Sequence, residues 1–150
     1  FLRQAQLIGV DGVIIPDLPP EEGEHFSNIA RKFKVDTVFF IAPTTNPKRM
    51  KFIARLSRGF IYYVSLTGVT GARKRLPADL SGQVKQVKRI TAKPVCVGFG
   101  VSSRVQVRLV AKISDGVIVG SAIVEKIKEN IGRKDLVVRV GRFVRELTGK

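Results

Sequence analysis

Pro94-Val95-Cys96-Val97-Gly98-Phe99-Gly100-Val101-Ser102-Ser103 reads as a short buried strand, a tight glycine turn and the opening of a helix. The run to Gly98 is apolar without alternation, the pattern of a strand covered on both faces. The glycines let the backbone turn sharply and come close to a ligand. Downstream, Val105, Leu109, Val110 and Ile113 recur at helical spacing, and a second apolar run, Gly116 to Val119, leads into Gly120-Ser121-Ala122-Ile123-Val124. The same strand-then-helix unit therefore occurs twice in succession.

Working back towards the start, the unit repeats. Phe60 to Val64 is followed by Leu80, Val84, Val87 and Ile90; Thr37 to Ala42 by Met50, Ile53, Ala54 and Leu56; Val13-Ile14-Ile15 by Phe26, Ile29, Ala30 and Phe33. The tail carries Leu136, Val140, Phe143, Val144 and Leu147, with Asp135 as the expected N-cap. Each stripe is one core-facing side of a helix, with Lys and Arg largely on the other side. Parallel strands need such crossovers, and the crossovers are right-handed. No linker interrupts the series, so residues 1–150 read as one α/β domain. Its architecture is either an open doubly wound sheet or part of a (β/α) barrel. A whole barrel has eight units in roughly 250 residues; about five units make an incomplete one.

Composition narrows the function classes. Apolar residues make up 44% of the 150 residues, enough for a core. A single Cys excludes an internal disulfide framework, and one Cys with one His excludes multi-Cys zinc and His-rich metal sites. No apolar run approaches the roughly 20 residues of a membrane-spanning helix. Phe1-Leu2-Arg3-Gln4 is no signal peptide, and the lack of an initial Met fits a fragment or a processed product. The expected setting is soluble, reducing and intracellular. The net charge is +15, from 27 Lys and Arg against 12 Asp and Glu. Nucleic-acid binding is one reading of that excess. The basic residues are dispersed, though, and a solvated surface that attracts anions is the plainer one.

In either architecture chemistry sits where the strands end. After the first strand, Pro16-Asp17-Leu18-Pro19-Pro20-Glu21-Glu22 opens a helix with prolines and acids suited to its first turn. Asp17 reads equally as turn chemistry or as a carboxylate aimed into a site. Pro43-Thr44-Thr45-Asn46-Pro47 holds cap candidates only. Ser65-Leu66-Thr67-Gly68-Val69-Thr70-Gly71-Ala72-Arg73 is a loop able to fold over a ligand with amides facing an anion. The turns at Gly98 to Ser103 and at Gly120 to Val124 stand side by side in the series. Together they match the phosphate site common near the last strands of barrels, set against the plain reading that tight turns need glycine. His25 reads as a flank residue, Cys96 as a small core residue, and Phe39 and Phe40 as core. Tyr62 and Tyr63 face opposite sides of their strand. GxSxG, Walker and HExxH patterns are absent.

These motifs resemble the tryptophan synthase alpha subunit family. Gly9 to Pro19, with its Ile15-Pro16-Asp17-Leu18-Pro19 turn, resembles the family's fourth barrel strand, and Ile41-Ala42-Pro43-Thr44-Thr45 the end of its fifth. Phe60 to Ser65 with Gly68-Val69-Thr70-Gly71-Ala72-Arg73 is similar to the sixth strand and mobile loop. Val97 to Ser102 and Val119 to Val124 resemble the seventh and eighth strand ends. The resemblance implies a (β/α)8 TIM-barrel type fold, here incomplete, as the C-terminal part of a single barrel domain. It implies a lyase of tryptophan biosynthesis that cleaves indole-3-glycerol phosphate to indole and glyceraldehyde 3-phosphate beside a beta subunit. That subunit carries the pyridoxal phosphate, and this chain would need no cofactor or metal. The phosphate would fall on amides of Gly71, Gly100, Gly120 and Ser121. Asp17 would meet the mobile loop, Thr70 would close the site, Tyr62 would be an active-site tyrosine and Phe99 would line the indole pocket. The family's first three units, with its acid–base glutamate and aspartate, have no counterpart here.

The resemblance also implies a cytoplasmic protein, or a stromal one in a plant plastid. A catalytically inactive barrel fragment that binds phosphorylated metabolites is the alternative, and a nucleic-acid-binding protein ranks last. The absent units would leave two open sheet edges prone to self-association.

Overall fold

The computed structural model describes residues 1–65, 77–98 and 100–149. The elements run α1 (Leu2–Leu7), β1 (Gly12–Ile14), α2 (Pro20–Lys32), β2 (Asp36–Val38), β3 (Phe40–Ile41), α3 (Pro47–Leu56), β4 (Ile61–Val64), α4 (Leu80–Ile90), β5 (Val95–Gly98), α5 (Arg104–Ala111), β6 (Gly116–Ile118), α6 (Ser121–Lys128) and α7 (Leu136–Thr148). Every strand pairing among them is parallel. β1 pairs with β2, and a second ladder runs β3-β4-β5-β6 in chain order.

That order decides between the two architectures. A doubly wound sheet reverses its direction of growth once, which sends helices to both faces. Here each step moves the same way, so right-handed crossovers put the helices on one side. Burial agrees. Ile41, Ile61, Tyr63, Val95 and Val97 are at most 0% exposed and join Met50, Ile53, Leu80, Val84, Val87 and Val110 in one core. On the opposite face Phe40, Tyr62 and Cys96 are half-buried and Ile14 is 40% exposed. This is a sector of a (β/α) barrel, with Phe40, Tyr62 and Cys96 on its inner face.

The run Thr37 to Ala42, read as one strand, is divided at Phe39. Its lower half pairs with β1 and its upper half with β4. At the break the Phe39 amide donates to Ser57 Oγ at 3.2 Å instead of to a strand, while its carbonyl accepts from the Tyr62 amide at 3.3 Å. Phe39 is buried, as expected. Phe40 is not a core residue of this chain: it stands half-buried on the inner face against Tyr62, ring centroids 5.0 Å apart. The short helix α1 has no counterpart in the sequence reading. It is held by Ala5, packed with Ala30 and Val35.

Helix ends follow their capping chemistry. Asn46 Oδ1 accepts from the Arg49 amide at 2.9 Å with Pro47 next in line. Lys93 Nζ closes the other end of α3 by donating to the carbonyls of Ala54, Arg55 and Ser57, an arrangement that suits the negative end of the helix. Asp135 is the N-cap of α7 by position, but its side chain makes no cap hydrogen bond. Arg139 at 2.7 Å and Arg133 at 3.4 Å take its carboxylate instead. On α5 the apolar stripe is shifted. Val105 and Leu109 are 68% and 52% exposed, whereas Gln106 and Val110 are buried.

Asp115, just before β6, ties three elements together. Its Oδ1 accepts from Lys88 Nζ at 2.7 Å and its Oδ2 from the Val95 amide at 2.9 Å. The Lys88 hydrogen bond first, and the Val95 amide second, hold this carboxyl below its ordinary value. A carboxylate with a depressed folded-state pKa adds stability that is present above its unfolded value and lost as pH falls through the folded one. The Asp115→Asn variant is therefore expected to lose about 0.5–1 kcal/mol at pH 7, scaled for a half-exposed pair. Its stability should also change less than the parent's between about pH 5 and pH 2. Urea unfolding across that range reads both effects.

Candidate functional site

The parallel strands bring their carboxyl ends to one side, and Asp17, Tyr62, Gly100, Gly120 and Ser121 lie in or just after those strand ends in the sequence. Gly98 in β5 is paired with Ile118 in β6. Gly100 and Gly120 each lie two residues beyond this pair in the sequence, after the ends of neighbouring strands. Thr70, Gly71 and Phe99 lie outside the described residues.

The two glycines differ in what they require. Gly100 has φ +81°, a left-handed conformation that favours glycine for its geometry alone. Gly120 has φ −119° and ψ −77°, and a Cβ built there meets nothing within 4 Å. Neither backbone strain nor packing among the described residues calls for glycine at 120. Gly120 caps α6, accepting from the amides of Ile123 at 2.9 Å and Val124 at 3.1 Å. Ser121 and Ala122 head the helix, where no intrahelical acceptor exists for their amides. Their N–H groups and the positive end of the helix dipole suit an anion.

The neighbouring helix α5 is less available than its sequence suggests. Gln106 Oε1 accepts from the amides of Ser102 at 2.8 Å and Ser103 at 3.2 Å, and Ser103 Oγ accepts from the Gln106 amide. This is a complete capping box. The Ser102 and Ser103 amides are thus engaged within the protein. The signal for it in the sequence is Ser103 followed three residues later by Gln106.

Tyr62 projects from β4 onto the inner face. Its ring lies across Gly98, where a Cβ would come 2.6 Å from the Tyr62 hydroxyl oxygen. Only glycine leaves room for that crossing. Burial pushes the Tyr62 phenol up, so it is neutral at pH 7 and able to donate, and its hydroxyl has no hydrogen-bond partner among the described residues. Tyr63 points the other way, into the helices, and donates to Gln83 Oε1 at 2.7 Å. Ser65, which sequence reading did not single out, locks the tips of β4 and β5 together. Its amide and its hydroxyl both donate to the Gly98 carbonyl, at 3.1 Å and 2.8 Å.

Asp17 is exposed in the turn closed by the Leu18 amide on the Ile15 carbonyl at 3.2 Å. It sits at the same end of the molecule and has no ion-pair partner among the described residues. His25 is exposed on α2, away from the strand tips. Cys96 lies half-buried against Gly116, with its thiol pushed up by burial and by Asp115. This is a packing thiol rather than a nucleophile. Among the described residues no group of three His, Cys, Asp or Glu could hold a metal ion. No described helix is long and apolar enough to cross a membrane.

Known proteins agree with this geometry. The family model for the tryptophan synthase alpha chain matches residues 1–148. The alpha chain of Opitutus terrae is 47% identical over 137 residues, covering 91% of this chain and 52% of the relative. That of Dehalococcoides mccartyi is 44% identical over 147 residues, covering 98% and 56%. A chain of the tryptophan synthase a2b2 complex from the hyperthermophile Pyrococcus furiosus superposes with a TM-score of 0.85 at 42% identity. All of this chain and 60% of that one are covered. The chain spans about half the length of the curated relatives it matches. Its sequence, its incomplete barrel and its paired glycine tips agree: the chain belongs to the tryptophan synthase alpha chain family.

Proposed function

We propose that these 150 residues form the C-terminal part of one barrel domain. That domain would cleave indole-3-glycerol phosphate to indole and glyceraldehyde 3-phosphate. The observation that carries the reading is the Gly98–Ile118 register. It supports the reading because the Gly100 and Gly120 segments follow neighbouring strands, with the Ser121 amide at the head of α6. The substrate phosphate binds there, joined by the Gly71 amide. Tyr62 donates its neutral hydroxyl towards the substrate, Phe99 lines the indole pocket, Thr70 closes the loop over it and Asp17 holds that loop. The indole passes to a beta subunit, which carries pyridoxal phosphate; this chain requires no cofactor. The reaction belongs to the cytoplasm, or to the stroma in a plant plastid.

Cleavage of the carbon–carbon bond needs a proton delivered to the indole ring carbon and another taken from the side-chain hydroxyl. Nothing among Asp17, Tyr62 and Thr70 replaces the family's glutamate as the base. The 150 residues alone are therefore expected to bind phosphate esters and to release no indole. Adding the missing barrel units should bring turnover. The assay is indole release from indole-3-glycerol phosphate; turnover by these residues alone would refute the division of roles.

A further inference from the structure

Ser65 is a residue that the proposed reaction does not use. It lies one step past the end of β4 and is 1% exposed. Its amide donates to the Gly98 carbonyl at 3.1 Å, which carries the β4–β5 ladder on from the Val64–Gly98 pair. Its hydroxyl donates to the same oxygen at 2.8 Å. A carbonyl oxygen has two lone pairs, and Ser65 supplies a donor for each. Any residue except proline would make the first bond. The second needs this side chain.

The acceptor is the residue with most to gain from being held. Gly98 is the last residue of β5, and the Tyr62 ring crosses it so closely that no side chain fits there. Glycine, without a Cβ, has the freest backbone of any residue. The loosest link of β5 therefore stands at its tip, two residues before Gly100 with its φ of +81°. The peptide unit is planar and trans. Two donors converging on the Gly98 oxygen thus fix the plane in which the chain leaves the strand.

We propose that Ser65 is a positioning residue for the phosphate site: its hydroxyl restores to Gly98 the rigidity that glycine lacks, and so holds the Gly100 turn in the orientation that receives a phosphate ester. The role rests on the reading of Gly100, Gly120 and Ser121 as that site. Ser65 itself is buried and needs no contact with the ligand; it acts through the Gly98 carbonyl. Binding groups must be held to within about 0.5 Å to be effective, a tolerance that a free glycine at a strand tip does not meet.

The probe is glycerol 3-phosphate, titrated calorimetrically at 25 °C into the full-length protein that carries these residues. Ser65→Ala is expected to weaken binding roughly three- to tenfold. In the ligand-free protein its Gly100 amide resonance should broaden or split, as the released peptide samples more than one orientation, while that of Gln83 on α4 stays as in the parent. Ser65→Cys keeps the volume, and its thiol is only a weak donor. It should shift both readouts the same way, and it carries the test if the alanine variant does not fold. A lower Tm with unchanged affinity and an unchanged Gly100 resonance would mean that the hydroxyl only steadies the fold, and would overturn the proposal. Weakened binding with an unaltered Gly100 resonance would overturn it too, since the effect would then reach the ligand by another route. Gly120→Asp, run alongside, separates the two readings. If it weakens binding and the Ser65 variants do not, only the role of Ser65 falls; if it does not, the phosphate site falls and the role of Ser65 with it.

Discussion

Alanine at position 63 is expected to destabilise the fold by about 3–5 kcal/mol, the usual cost of removing a large ring from a packed core. Tyr63 is 0% exposed and the largest fully buried side chain among the described residues. It sits on β4, which pairs with β3 on one side and β5 on the other, so the strand cannot shift to fill the void. Its hydroxyl reaches Gln83 on α4. Burial, with the Asp79 charge second, pushes the phenol up to about 12, so it donates throughout the physiological range. Tyr63→Phe removes only that bond and should cost about 1 kcal/mol. Against a typical total of about 5–15 kcal/mol, the alanine variant loses a large share. Urea denaturation of the two variants gives both numbers. A loss below about 1.5 kcal/mol for alanine would mean that the layer beneath α4 collapses around the gap, and that β4 is less fixed than its neighbours imply.

The second large effect separates binding from folding. Gly120→Asp is expected to leave stability unchanged or raise it slightly, while weakening phosphate-ester binding at the strand tips at least about tenfold. The stability side follows from space and charge. Among the described residues a Cβ at 120 meets nothing within 4 Å, and a carboxylate at the N-cap of α6 suits the helix dipole by about 0.3–1 kcal/mol. The binding side follows from the same charge. A carboxylate about 4 Å from a phosphate repels it by about 4 kcal/mol at an intermediate dielectric, more than a tenfold loss requires. Thermal melts and a titration with a phosphate ester, run on the same preparation, check both sides. A variant that binds as the parent does would remove Gly120 from the site, whatever its effect on Tm. Gly120→Ala serves as the uncharged companion and isolates repulsion from lost space.

Much of this was legible in the residues. The alternation of β-type and helix-type periodicity is local chemistry, and five strand-forming segments with the helices after them appear where their apolar spacing put them. The glycine turns at 98–100 and at 120 are likewise local. The exceptions have physical causes. On α5 the hydrophobic residues Val105 and Leu109 outscore Gln106 on any apolar scale. Gln106 nevertheless faces inward, because its amide oxygen is needed by two backbone N–H groups. At Phe39 a continuous apolar run conceals a change of partner, since a hydroxyl from Ser57 intercepts one ladder bond. The strand ends that carry Asp17, Gly100, Gly120 and Ser121 are legible from periodicity, because a strand end is a local feature. The Ser65 link to the Gly98 carbonyl is not legible there, because it joins residues far apart in the chain.

The residues alone determined that parallel strands alternate with helices, that the helices show one apolar face, and that two glycine tips lie in consecutive units. These are properties of spacing within a turn or a strand, where neighbours in sequence are neighbours in space. Only the tertiary structure decided that the sheet grows in one direction and curves into a barrel sector, leaving Phe40 and Tyr62 on its inner face. It also decided that one helix start is sealed by its own glutamine, while the next has no side-chain cap among the described residues. Strand order and cross-helix contacts are set by packing between segments tens of residues apart, and no local pattern encodes which segment arrives beside which.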